Sequence, residues 1–244
     1  MSRISASVLF AVLAASLGCN QTTAKVPATP EATPKLLDLA QTPAPAYGPA
    51  PTSCYDHGKG ELDGAQPNTF DYYLLTLSWQ PQYCATHANG AGCGAHLGFI
   101  VHGLWPEDNN GDYPACCSNA PGPTNPTADS DIMPGINIAH EWAKHGTCTT
   151  LTGDQYLTDI RQDFNQVKIP SSLTLTQNTS LSRDGLLAQF ASSNPTYPAG
   201  AFALTCSGKN LTAAEVCLSK STMAPQACQN LPSSCPTMVS VTAP

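Results

Sequence analysis

Charge is scarce in this chain. Only 11% of its 244 residues are Asp, Glu, Lys or Arg, with ten Lys and Arg against 17 Asp and Glu. Together with 22 prolines, that scarcity argues against long solvated helices and coiled coils. A formal net charge of −7 excludes a broad basic surface that would grip nucleic acid tightly and non-specifically. It leaves room for a nucleic acid held briefly by a few local cations. No internal repeat is visible, and neither Cys-x-x-Cys nor His-Glu-x-x-His occurs. The uncharged run Ile4 to Leu17 falls short of the roughly 20 apolar residues that span a bilayer comfortably.

What the chain has instead is cysteine, eleven in all. That is many for a reducing cytosol, and it fits an oxidising compartment where disulfides persist. The first residues agree, because MSRISASVLFAVLAASLGCN reads as an export signal over 1–19, with Arg3 as its positive start. Leu17-Gly18-Cys19 resembles the end of a bacterial lipoprotein signal, where the cysteine is lipidated and tethers the protein to a membrane. The departure is Ser16, where a larger aliphatic residue is usual, and ordinary cleavage nearby is the alternative. Setting Cys19 aside leaves ten cysteines, an even number. Residues 20–52 are dominated by Pro, Ala and Thr and read as a disordered tether. Residues 53–244 are the folded unit, with seven Lys and Arg against fifteen Asp and Glu. The acidity therefore belongs to the domain. Glycosylation sequons at Asn20, Asn178 and Asn210 matter only in a eukaryotic secretory pathway and rank below the lipoprotein reading.

Within that unit, Phe70 to Trp79 reads as a strand with Tyr73, Leu75, Leu77 and Trp79 on one face. Leu97 to Trp105 is an apolar run typical of a buried central strand, and Gly103 marks a turn or a close backbone approach at its end. Helical spacing predicts helices over Ile136–His145 and Asp154–Val167, and Ser182 is suited to cap a third running to Phe190. Ala201–Cys206 and Ala214–Ser219 read as later strands. Helices and strands mix without a βαβ rhythm, which favours an α+β fold.

Two segments gather the chemistry. His102 lies in the first apolar strand, where an imidazole is costly unless it is paired or opens into a cleft. The second segment reads HEWAKHGTC. On a helix His140 sits over Lys144, and Glu141 over His145. Two imidazoles, a carboxylate and an ammonium thus crowd one and a half turns. Zinc is disfavoured as a ligand of this set, because the second histidine falls five residues on and Lys144 takes the four-apart position. Two imidazoles can take and give protons near neutrality, and a lysine can stabilise charge on phosphate oxygens. RNA carries its own nucleophile, the 2′-hydroxyl, so such a set needs neither a metal-bound water nor a covalent intermediate.

FIVHGLWPED (Phe99 to Asp108) and HEWAKHGTC (His140 to Cys148) resemble the two active-site segments of the ribonuclease T2 family. LSWQPQYC (Leu77 to Cys84) and LTAAEVCLSK (Leu211 to Lys220) are similar to its flanking strands, and the likeness runs over about residues 70–235. The resemblance implies an α+β domain with a central antiparallel sheet, helices packed on it and disulfide staples. It implies an endoribonuclease needing no cofactor, of low base specificity, that holds RNA as a substrate without a stable complex and works as a monomer. By the same resemblance His145 is the general base, His102 the general acid, and Glu141 and Lys144 stabilise the phosphorane, while His140 binds phosphate. Trp105 and Tyr113 fall where a base stacks, and Glu107 where some relatives place an aspartate against the base. The resemblance pairs Cys206 with Cys235, Cys217 with Cys228 and Cys84 with Cys93. It ties Cys148 to Cys116 or Cys117 and leaves the other of these two for Cys54. An inactive relative that binds or stores, and a zinc-dependent hydrolase, are the rival readings. The acidic domain is expected to raise histidine pKa values and to favour activity on the acid side of neutrality.

Overall fold

A strand of eight residues, Tyr72–Trp79 (β2), organises the domain. Seven of the eight are buried, because β2 lies inside a sheet covered on both faces. The computed structural model describes residues 57–244, together with Tyr47, Gly48 and Cys54. The export signal over 1–19, Cys19, the Asn20 sequon and nearly all of the 20–52 stretch lie outside the described residues. Tyr47 and Gly48 are the exceptions, and the Asn119 amide donates to the Gly48 carbonyl at 2.9 Å. Among the described residues no helix is long and apolar enough to cross a membrane.

In chain order the elements are β1 (Glu61–Asp63), β2, α1 (Gln80–Thr86), β3 (Phe99–Glu107), β4 (Tyr113–Ala115) and α2 (Ile138–Lys144). There follow α3 (Gly153–Gln166), β5 (Thr179–Ser182), α4 (Arg183–Ser193), β6 (Phe202–Ser207), β7 (Asn210–Ser219) and β8 (Met238–Val241). The large sheet runs β3-β2-β7-β8-β5, with β6 also on β7. Its pairings are antiparallel except for one parallel bridge, Asn210 to Ser240, between β7 and β8. β1 and β4 form a separate parallel pair. This is the α+β architecture the sequence implies.

Period-2 alternation puts Tyr73, Leu75, Leu77 and Trp79 on one face of β2, as anticipated. They join Val101, Leu104 and Val216 from the neighbouring strands, with Tyr156, Leu157 and Ile160 of α3 and Leu186 and Phe190 of α4 closing over them. Each fully buried aliphatic chain there contributes about 1.5–3 kcal/mol relative to exposure. The caps fit the sequence. Thr152 and Gln155 make a reciprocal capping box at α3, and the Ser182 side chain accepts from the Gly185 amide at α4.

β3 departs from expectation in its place, at the edge of the large sheet and not at its centre, and in its length. It continues past Gly103 to Glu107, passing through Pro106. Proline is tolerated because β3 is an edge strand and need not donate a further ladder bond there. The free edge is satisfied from outside the sheet. The Val101 amide donates to the Ile132 carbonyl at 2.8 Å, and the Tyr156 hydroxyl donates to the Leu104 carbonyl at 2.9 Å. His102 is not at the end of the strand. Thr76 pairs with Gly103 and Leu77 with Val101, so His102 is the extra residue of a β-bulge. α1, β1, β4, β5 and β8 went unpredicted. The four strands among them have three or four residues each, too few for alternation to show.

Five disulfides join Cys54–Cys116, Cys84–Cys93, Cys117–Cys148, Cys206–Cys235 and Cys217–Cys228. They use all ten cysteines left after Cys19. They also resolve the choice for Cys148, whose partner is Cys117. The loop that follows β4 is thereby fastened to the turn that follows α2.

Candidate active site

The second face of the sheet carries the site. Tyr72, Leu74, Thr76 and Ser78 point there from β2, and by register Trp105 and Glu107 join them from β3. The bulge gives His102 an outlet onto this side. Its Nδ1 lies 3.3 Å from Ser78 Oγ, its Nε2 lies 3.5 Å from Glu141 Oε1, and its side chain is 41% exposed.

α2 delivers the second segment. The Asn137 side chain accepts from the His140 amide and starts the helix. The helix ends at His145, where Gly146 opens a short 3₁₀ turn over Gly146–Cys148. Glycine is required there, since a Cβ on Gly146 would fall 2.2 Å from Trp142 Cε3. Cys117–Cys148 and the Cys116 amide, which donates to the Lys144 carbonyl at 2.8 Å, hold the end of the helix against the loop after β4.

Glu141 is the meeting point. It is buried, it faces His102 through Oε1, and its Oε2 accepts from Trp105 Nε1 at 2.9 Å. Burial alone raises its pKa. The hydrogen bond with His102, the charges of His145 and His102, and the Trp105 bond outweigh that and hold the carboxyl below its ordinary value. Both imidazoles lie close to one indole. His102 meets Trp105 edge-on with centroids 5.2 Å apart, and His145 stacks on it at 5.1 Å and 25°. Gly103 permits this crowding. A Cβ there would sit 2.4 Å from Trp105 Nε1 and 2.6 Å from Glu141 Oε2. The close approach foreseen at Gly103 is real, although it lies inside the strand.

His145 corrects one expectation. Its pKa is lowered, to about 3, not raised by the acidic domain. Burial is the main cause; Lys144, His140 and His102 add to it, and Glu141 opposes. Only 6% of the residue is exposed, and its Nδ1 is buried without a hydrogen-bond partner among the described residues. Local desolvation outweighs the field of distant carboxylates because the penalty acts on the ring itself.

The remaining residues named from sequence are spread around this centre. Lys144 is buried with its Nζ 3.2 Å from Glu61 Oε2. His140 is exposed on α2 and reaches His145 through its charge. Tyr113 tilts against His145 with centroids 6.1 Å apart, and its hydroxyl donates to Glu61 Oε2 at 3.1 Å. Glu107 stands two residues beyond Trp105 on the same face, where burial, then Glu215 and Asp108, push its carboxyl up to about 8. Sequence reasoning missed Glu61, because β1 is too short to announce itself. It also missed the bond between Trp105 and Glu141, which no spacing rule encodes. Among the described residues, Glu61, Asp63 and Cys116 are the one group whose ligand atoms converge as for a metal. The Cys116 sulfur is bonded to Cys54 and offers no thiolate.

Fold and site together define a disulfide-stapled α+β protein in which two histidines and a buried carboxylate meet at one indole. The chain belongs to the ribonuclease T2 family, whose model matches residues 70–228. A ribonuclease of Aeromonas hydrophila is 39% identical over 99 residues, which is 38% of this chain and 46% of that protein. A probable ribonuclease of Haemophilus influenzae is 34% identical over 145 residues, 51% of each. The chain thus spans about half the length of these curated relatives. An RNase-related protein from Calystegia sepium shares the fold, with a TM-score of 0.59 at 24% identity over 71% of this chain and 97% of that one.

Proposed function

We propose that the protein is an endoribonuclease that cleaves single-stranded RNA by transphosphorylation, without a metal and with little base preference. The observation that carries this reading is the gathering of His102, His145 and Glu141 around Trp105 at the end of a sheet face. His145 is neutral across most of the pH range and so is free to take the proton of the 2′-hydroxyl. The 2′-oxygen then attacks phosphorus as the 5′-oxygen leaves, and His102, open to solvent, protonates that oxygen. In the second step His102 takes a proton from water and His145 returns one to the 2′-oxygen, converting the 2′,3′-cyclic phosphate to a 3′-phosphate. Lys144 and Glu141 support the charge on the phosphorane, and the exposed His140 binds phosphate from the rim. Trp105, Tyr113 and Glu107 line the way in for a base.

Ten cysteines paired in five bridges support an oxidising location. The protein is exported by its first 19 residues, acts as a monomer, and is tethered to a membrane where Cys19 is lipidated. Mass spectrometry of the mature N-terminus tests the anchor, and a cleaved chain without a diacylated Cys19 refutes it.

Digestion of RNA in excess chelator tests the reaction. Cyclic phosphate products, and a loss of about 10²–10⁴-fold on His102→Phe or His145→Phe, are the expected results. Binding without cleavage would point to an inactive relative, and activity abolished by chelation to a metal-dependent hydrolase.

A further inference from the structure

Glu61 precedes the stretch that the family model matches, yet its carboxylate lies inside the site. Its Oε2 stands 3.2 Å from Lys144 Nζ, with 1% of the glutamate side chain and 9% of the lysine side chain exposed. The same oxygen accepts from the Tyr113 hydroxyl at 3.1 Å and from the Gly58 amide at 2.6 Å.

Several independent features build this arrangement. β1 pairs in parallel with β4, and the register sets Glu61 against Tyr113. Cys54–Cys116 fastens the segment before β1 to the residue after β4, whose own amide donates to the Lys144 carbonyl. A Cβ on Gly58 would fall 2.2 Å from the Tyr113 hydroxyl and 2.9 Å from Glu61 Oε2. Only glycine lets the backbone come that close.

We propose that Glu61 is a positioning residue for catalysis, holding Lys144 charged and aimed and fixing Tyr113 beside His145. This rests on the reading of Lys144 as the cation that stabilises the phosphorane. A buried ammonium beside imidazoles tends to give up its proton, and a buried carboxylate at ion-pair distance reverses that tendency. The carboxylate also restricts the lysine's rotamers, so less entropy is lost when phosphate arrives. The active site of this chain is therefore completed by a strand from outside the matched region.

A double-mutant cycle of Glu61→Gln and Lys144→Met tests it, with kcat and KM for a dinucleotide measured from about pH 4 to about pH 8. Glutamine keeps an acceptor for Gly58 and Tyr113 and removes only the charge. Glu61→Gln is expected to lower kcat about tenfold with KM within about twofold, and to move the alkaline limb of the kcat profile to lower pH. In the Lys144→Met background the same change should alter kcat by less than about twofold and leave the alkaline limb where it is. Wild-type kcat and pH profile in Glu61→Gln, or losses that simply add in the cycle, would overturn the proposal. Should Glu61→Gln fail to fold, Glu61→Asp, which keeps the charge on a shorter stem, must lower kcat while leaving the alkaline limb in place; a shifted limb counts against the proposal. If Lys144→Met retains full kcat, the catalytic reading of the lysine falls and this proposal with it. If Lys144→Met is impaired and Glu61→Gln is not, only the role of Glu61 is refuted.

Discussion

Trp105 Nε1 donates to Glu141 Oε2 at 2.9 Å, and this single bond ties the strand that carries His102 to the helix that ends in His145. An indole has one donor and a rigid ring. When that donor is committed to a buried carboxylate, the ring's plane is set, and both imidazoles are packed against that plane.

Gly103→Ala should break this relationship without replacing a titratable group. The added Cβ would overlap both Trp105 Nε1 and Glu141 Oε2. A displacement of about 1 Å costs about 10²-fold in rate, and that is the expected loss of kcat on a dinucleotide, with the far-ultraviolet circular dichroism unchanged. A rate within about threefold of wild type would show that the bond is dispensable.

The pH profile should reflect the burial of His145. With its pKa lowered to about 3 by burial, His145, the proposed base, stays deprotonated well into acid. Activity should therefore persist through the acid range and decline only as pH approaches about 3–4. A kcat/KM profile whose acid limb lies near pH 6, the ordinary range of imidazole, would contradict this assignment.

Glu107 should act as a neutral acid over most of that range. Burial, then the charges of Glu215 and Asp108, raise its carboxyl to about 8, so below about pH 8 it is protonated and above it a carboxylate faces the RNA. Glu107→Gln imitates the protonated form. Its KM should match wild type at about pH 5 and fall about threefold below wild type at about pH 9. Equal ratios at both pH values would remove Glu107 from the binding surface.

Asp163 should destabilise the domain at neutral pH. It is buried on α3 with Oδ2 lacking a hydrogen-bond partner among the described residues, and burial followed by the Asp159 charge raises its pKa to about 7. A carboxyl raised in the folded state contributes stability below its unfolded pKa of about 4 and loses it as pH rises towards about 7. Asp163→Asn should raise the unfolding midpoint at about pH 8 by roughly 3 °C or more and change it little at about pH 4. Calorimetry at the two pH values decides, and an equal shift at both would sink the account.

Much of this was legible in the residues. The aromatic and aliphatic run FDYYLLTLSW placed the core strand, and the period-2 rule told which of its residues share a face. Helical spacing and capping residues placed α3 and α4 to within a few residues. The pairing of Cys206, Cys217 and Cys84 followed from resemblance. The resemblance left Cys54, Cys116, Cys117 and Cys148 with two arrangements, because adjacent cysteines are interchangeable in sequence and differ only in which way their Cβ atoms point.

The sequence by itself determined the chemical inventory: two histidines, a carboxylate and a lysine in two segments, ten cysteines to staple them, and a net acidic domain. Those are properties of side chains and spacing. Only the tertiary structure decided that His102 leaves the sheet at a bulge, that Trp105 bonds Glu141, that Lys144 is held by Glu61, and that His145 is too buried to follow the charge of its domain. Each is a contact between residues more than 20 positions apart, or the burial such contacts produce. No local pattern encodes it, and it exists only once the sheet, the helices and the bridges have packed.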